Sequence, residues 1–162
     1  MTRIGLLSDT HGFLDDAVFR HFADCDEIWH AGDIGTGAVA EQLAGWKPFK
    51  AVYGNIDGQD IRNVYPEYAH WYCEDVKVLM LHIGGYPPKY NTHSKALLLQ
   101  HKPQLFIDGH SHILKVIYDP AISCLHMNPG AAGKQGWHKV RTLIRFSIDG
   151  KEIKDCQVIE LG

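Results

Sequence analysis

Three strand-like runs in the first sixty residues, Ile4 to Leu7, Glu27 to His30 and Phe49 to Tyr53, are separated by stretches with helical spacing, and each runs into a glycine-bearing loop. The loops read Ser8-Asp9-Thr10-His11-Gly12, Ala31-Gly32-Asp33 and Gly54-Asn55-Ile56-Asp57. Strands alternating with helices predict a parallel sheet with crossover connections. Leu14, Ala17, Val18 and Phe22 mark a helix over 14–22, with Asp15 and Asp16 in the first turn, where the helix dipole favours acids. Val39 and Leu43 mark a second helix, stopped near Gly45 and Pro48.

The second half reads differently. Ala69 to Cys73 and Val76 to His82 are expected to pair across the turn Glu74-Asp75, a glycine- and proline-rich loop follows at 84–88, and Thr92 to Gln100 is expected to be helical. Leu105 to Ile107 leads to Gly109-His110-Ser111-His112. Residues i and i+2 of an extended segment project to one side, so the two imidazoles are expected to face one small volume. Gly109 is expected where the backbone passes close to something. Lys115 to Tyr118 with Ile122 to His126, and Arg141 to Ile148 with Ile153 to Leu161, predict two hairpins, the latter turning at Asp149-Gly150. Early parallel and late antiparallel strands predict an α/β fold of two packed mixed sheets with helices outside, formed by residues 1–162 as a single domain.

Composition narrows the function. A length of 162 residues is enough for one core, and a net charge of −3 gives no global basic field for nucleic acid or anionic lipid. Cys25, Cys73, Cys124 and Cys156 form no Cys-x-x-Cys pair and read as core thiols of a reducing compartment. With no basic leader and no apolar run of membrane length, the expectation is a cytoplasmic protein with no membrane partner.

Ligands of an open α/β sheet gather beyond the carboxyl ends of its strands. That rule collects Asp9, His11, Asp33, Asn55, His82, His110 and His112, seven nitrogen and oxygen donors without a thiolate. They are more than one metal requires and suit manganese, iron, zinc or nickel. Asp33 stands in the middle of the set, where one carboxylate can serve two cations.

These blocks, Asp9-Thr10-His11, Gly32-Asp33, Gly54-Asn55, His82 and Gly109-His110-Ser111-His112, resemble in identity and order the calcineurin-like binuclear metallophosphoesterases. The match spans about residues 4 to 130. The short length, with Asn128-Pro129-Gly130 after the last block, is similar to the small single-domain phosphodiesterase branch of bacteria and archaea. The resemblance implies a four-layer α/β/β/α sandwich. It also implies two divalent transition ions, manganese first among nickel, iron(II) and zinc, with Asp9, His11 and His112 on one, Asn55, His82 and His110 on the other, and Asp33 bridging. Asp33, Asn55 and His110 would then be catalytic, a hydroxide held between the metals attacking the phosphorus of a small phosphate diester in line.

Two positions depart from the family pattern. Ile56 stands where many members have a histidine that protonates the leaving alkoxide, and Ile83 where relatives often have glycine. His93 and His126 are the candidates to replace the missing acid.

Other readings compete. Asp9 and Asp33 precede helices and could cap them. Asp57 is expected to make a turn or support the site by hydrogen bonding, and His30 either supports the site or is satisfied in the core. His21, His70, His101 and His138 carry no spacing signal. Lys134, Lys139 and Arg141 around Trp137 and His138 form a small basic patch that reads better as a solvated loop than as a nuclease surface. The same fold serves in the retromer coat as a protein scaffold with an incomplete ligand set. Loops 84–91 and 128–139 offer apolar and aromatic contacts for a homo-oligomer.

Overall fold

The computed structural model describes residues 1–161. Two five-stranded mixed sheets lie face to face. The first has the order β12 (Glu152–Glu160), β11 (Thr142–Asp149), β1 (Thr2–Leu7), β2 (Glu27–His30) and β3 (Phe49–Ala51). The second has the order β4 (Tyr68–Cys73), β5 (Val76–Leu81), β8 (Leu105–Ile107), β10 (Cys124–Asn128) and β9 (Lys115–Asp119). A two-stranded hairpin of β6 (Gly85–Tyr86) and β7 (Lys89–Tyr90) occupies the expected 84–88 loop.

Three apolar layers account for the stacking. Ile4, Leu6, Trp29, Ile144 and Phe146 of the first sheet meet Val76, Val78, Met80, Ile107 and Met127 of the second. Trp29, fully buried, sets its ring edge-on to Trp71 and Phe146. The outer face of the first sheet is covered by α1 (Asp16–His21), α2 (Gly37–Trp46) and α3 (Gln59–Arg62) through Val18, Val39, Leu43 and Ile61. α4 (Thr92–His101) covers the second with Leu97 and Leu98. Helices outside two sheets make the expected α/β/β/α sandwich. Being covered on both faces, β1, β5 and β8 are almost wholly apolar rather than alternating.

Helix ends follow local chemistry. α1 begins later than its periodicity suggests, because the Asp15 carboxylate accepts the Ala17 N–H at 2.8 Å and caps the helix from outside. α4 is capped likewise, Asn91 Oδ1 accepting the Ser94 N–H at 2.8 Å. Gly5 is needed because the Phe22 ring lies against it, where a Cβ would sit 2.6 Å from ring carbons. None of the helices among the described residues is long and apolar enough to cross a membrane.

The topology matters most at one edge. β1, β2 and β3 run parallel, as do β5, β8 and β10, so the six carboxyl ends open on the same side of their respective sheets. Every predicted ligand follows one of these ends.

Candidate metal centre

The loops after β1 and β2 run on together past the strands: Asp9 N–H donates to the Gly32 carbonyl at 2.9 Å, His11 N–H to Asp33 at 3.0 Å and Gly12 N–H to Ile34 at 2.8 Å. Asp9, His11 and Asp33 all adopt left-handed backbone, with φ of 55°, 47° and 54°, and so do His110 at 68° and His112 at 62°. Non-glycine residues enter this region at a cost and cluster where function over-determines the backbone.

Two groups of side chains result, Asp9 with His11 and His112, and Asp33 with His82 and His110, the donor atoms within each lying within 4.8 Å of one another. One oxygen joins the groups. Asp33 Oδ2 is 3.4 Å from His11 Nε2 and 3.2 Å from His82 Nε2. Asn55 Oδ1 stands 3.1 Å from His110 Nδ1 at the exposed rim of the second group. The structure therefore brings all seven predicted residues together. It corrects the geometry of the His-x-His pair: with both residues left-handed rather than extended, His110 turns to one group and His112 to the other.

Supporting contacts aim the donors. Asp9 Oδ2 accepts from the Ser8 hydroxyl at 2.6 Å and the His110 N–H at 3.1 Å, leaving Oδ1 free. Asp33 Oδ1 accepts the Ile56 N–H at 3.1 Å. His82 Nδ1 lies 2.8 Å from the Ala31 carbonyl, which can only accept, so the proton sits on Nδ1 and the Nε2 lone pair faces the centre. Gly109 passes against Ser8 and Asp9, where a Cβ would lie 2.8 Å from Asp9 Oδ2. Asp57 accepts from Ile34, Gly35 and Gly54 N–H groups and ties the second loop to the third. Arg62, from the helical turn α3, donates to the carbonyls of Asp57, Gly54 and Asn55. His30 is satisfied in the core between the Thr10 hydroxyl and the Gly32 N–H, and burial pushes it down to about 4, so it stays neutral.

Asp9 Oδ1, His11 Nε2 and His82 Nε2 are buried and have no hydrogen-bond partner among the described residues. Each such orphan costs about 1–3 kcal/mol. A carboxylate oxygen and two imidazole nitrogens turned toward one point fit divalent transition cations, and the donor set is of that class.

Charge confirms the strain. Burial would raise the Asp9 carboxyl, but His11, His112, His82 and Ser8 overcome it and hold Asp9 far below the usual range. Asp33 is likewise lowered against burial, chiefly by His82. His11 is raised by the neighbouring Asp9 carboxylate, 3.7 Å away, and His82 is raised despite burial by Asp33 and Asp9. The histidine contribution to stability is thus complete below about 6.5 and lost as pH rises through the raised values, while the carboxylate contribution is lost as pH falls through the lowered ones. Chelator-treated protein should show its highest Tm at mildly acidic pH and lose stability above neutrality, a loss that saturating manganese removes. Thermal scans from about pH 5 to 9 check this, and a chelated Tm that rises above neutrality would contradict it.

The remaining histidines separate. His126, 1% exposed, lies 2.8 Å from Asp108, which burial pushes up to about 6; it is therefore no free replacement acid. His93 pairs with Glu67 at 3.2 Å in a cavity of about 660 Å³ that also holds Asn55, Arg62 and His82. A second cavity of about 290 Å³, with Lys89, His110, Ser111 and Lys115, shares Ile83 and Asn91 with the first. Two cations of the basic patch are engaged within the chain: Arg141 pairs with Asp15 at 2.7 Å, and both it and Lys134 lie over the Phe13 ring. His138, without any spacing signal, lies against His112.

Comparisons with known proteins bear on the family and the fold. Residues 2–151 match the family model of the calcineurin-like phosphoesterase superfamily domain. A probable metallophosphoesterase of Methanothermobacter thermautotrophicus is 26% identical, the match covering 98% of this chain and 92% of the relative. Among solved structures, an archaeal phosphodiesterase superposes with a TM-score of 0.78 at 20% identity, covering 98% of this chain and 99% of that one. A zinc complex of Vps29 from Entamoeba histolytica gives 0.75 at 14% identity, with 99% of both chains covered.

Proposed function

The chain belongs to the calcineurin-like phosphoesterase superfamily, and from that premise we propose that it is a phosphodiesterase of small phosphate esters with a two-metal centre. Asp9, His11 and His112 would hold one cation and Asn55, His82 and His110 the other, with Asp33 contributing to both. The observation that carries this reading is the single Asp33 oxygen lying between His11 and His82, flanked by orphaned donor atoms. Bound there, a pair of divalent cations would supply an acidified water and neutralise the phosphoryl oxygens.

The chain's own residues do the rest. Asn55 and His110 stand at the open rim, where a phosphoryl group enters. The two cavities meet beside that rim, one holding Asn55 and His82 and the other His110, which gives each substituent of a diester its own space. Lys89 and Lys115 form no ion pair among the described residues, so the smaller cavity suits a polar or anionic substituent. The formal charge of −3 and the pairing of Arg141 with Asp15 favour such esters over nucleic acid. Both the archaeal relative named a probable metallophosphoesterase and the archaeal phosphodiesterase of the same fold support the reading. Against a scaffold role like that of the retromer subunit stands the filled ligand set.

A panel of phosphomonoesters and phosphodiesters assayed with manganese, nickel and zinc in turn tests the proposal. Metal-dependent cleavage of diesters over monoesters is the expected result; no hydrolysis of either under any metal would overturn it. Ile56 adds a sharper expectation. It is 46% exposed, cannot donate a proton, and leaves poor leaving groups unassisted. Rates should fall steeply as leaving-group pKa rises, and Ile56→His should recover about a hundredfold for the poorest. A flat dependence in the unmodified enzyme would sink this part of the account.

A further inference from the structure

The group of Asp9, His11 and His112 is closed on one side by residues 131–138, a segment with no role so far. It is stitched to the end of β1: Ala132 N–H donates to the Ser8 carbonyl at 2.9 Å and Gly133 N–H to the Asp9 carbonyl at 3.1 Å. The chain then passes Gly136, whose φ of 130° suits glycine and where a Cβ would lie 2.6 Å from His112 Cε1. His138 arrives with its ring edge-on to that of His112, centroids 4.9 Å apart.

The hydrogen bonds fix the protons. His138 Nε2 is 2.8 Å from the Gly133 carbonyl, and a carbonyl only accepts, so Nε2 carries the hydrogen. In a neutral ring Nδ1 is then a lone pair. That lone pair lies 3.1 Å from His112 Nδ1, which must therefore donate. His112 is left with its hydrogen on Nδ1 and its lone pair on Nε2, the atom 3.1 Å from Asp9 Oδ1 at the centre.

We propose that His138 is a positioning residue, anchored on Gly133, that fixes the tautomer and ring orientation of His112 and thereby presents Nε2 to a divalent cation. It touches neither substrate nor cation and acts through His112 alone. The inference rests on the metal-centre reading above. A partner of this kind is worth about 10- to 100-fold in metal affinity.

Calorimetric titration with manganese tests it on the wild-type protein, His138→Ala and His138→Gln. The alanine variant should bind one of two manganese ions about 10- to 100-fold more weakly and the other unchanged. Glutamine, which offers one acceptor and one donor on one planar group, should restore most of that loss. Unchanged binding by His138→Ala, or no rescue by glutamine, overturns the inference alone. Wild-type protein that binds no manganese overturns it together with the metal-centre reading. Should the alanine variant not fold, nitrogen NMR of the wild-type zinc form decides: a proton on His112 Nδ1 agrees, and one on Nε2 contradicts.

Discussion

Replacing Asp33 by asparagine is expected to lower kcat/KM for a diester by about a thousandfold or more, equivalent to about 4 kcal/mol of transition-state stabilisation. The substitution is isosteric, so the Ile56 N–H keeps its acceptor on Oδ1. What disappears is the negative oxygen between His11 and His82. An amide NH2 in its place turns a donor toward the position of the cations. The chelated protein should also lose stability near neutral pH, because the Asp33 carboxylate that His82 holds below its ordinary range is gone. Steady-state kinetics with manganese check the first statement and thermal melts with chelator the second. Turnover within fivefold of wild type would mean that Asp33 joins nothing.

Gly54→Ala should be as damaging for a steric reason. An added Cβ would overlap Asp33 Oδ1 and come 2.8 Å from its Cγ. Neither side yields easily, since Gly54 N–H is held by Asp57 at 2.8 Å and Asp33 by its own loop. Overpacking of this kind costs about 1–3 kcal/mol. The motion that relieves it separates Asn55 from Asp33, and a misplacement of about 1 Å is worth about a hundredfold in rate. Gly45→Ala is the control. It lies in α2, a Cβ there meets nothing within 4 Å, and the helix should gain about 0.5–1 kcal/mol. Melting temperatures and diester kinetics of the two variants should therefore move in opposite directions, and a Gly54→Ala protein as active as wild type would refute the packing argument.

The strands and the seven donors were legible because each depends on local signals. β2 and β8 fall where the apolar runs place them, and each donor sits one to five residues beyond a buried strand. Gly109 was legible as a close approach, and Asp57 as a supporting residue. The left-handed backbone at five of the donors was not, since only packing against the neighbouring loop imposes it. Extended geometry for His110 and His112 was the natural reading and proved wrong for that reason. α3, four residues long, is too short to show a period, yet it carries Arg62 to the Asn55 loop. His138 was invisible for another reason. It lies 26 positions from His112, and only the docking of residues 131–138 on β1 brings the two together. The histidine offered as a substitute acid, His126, looked available because burial against Asp108 leaves no mark in the sequence.

The central claim is that strand ends far apart in the chain enclose two cations around one carboxylate. Anomalous diffraction from crystals grown with manganese tests it most directly. Two peaks flanking Asp33, one beside Asp9, His11 and His112 and one beside Asn55, His82 and His110, are the predicted result; a single peak away from Asp33, or none at saturating manganese, would contradict the account.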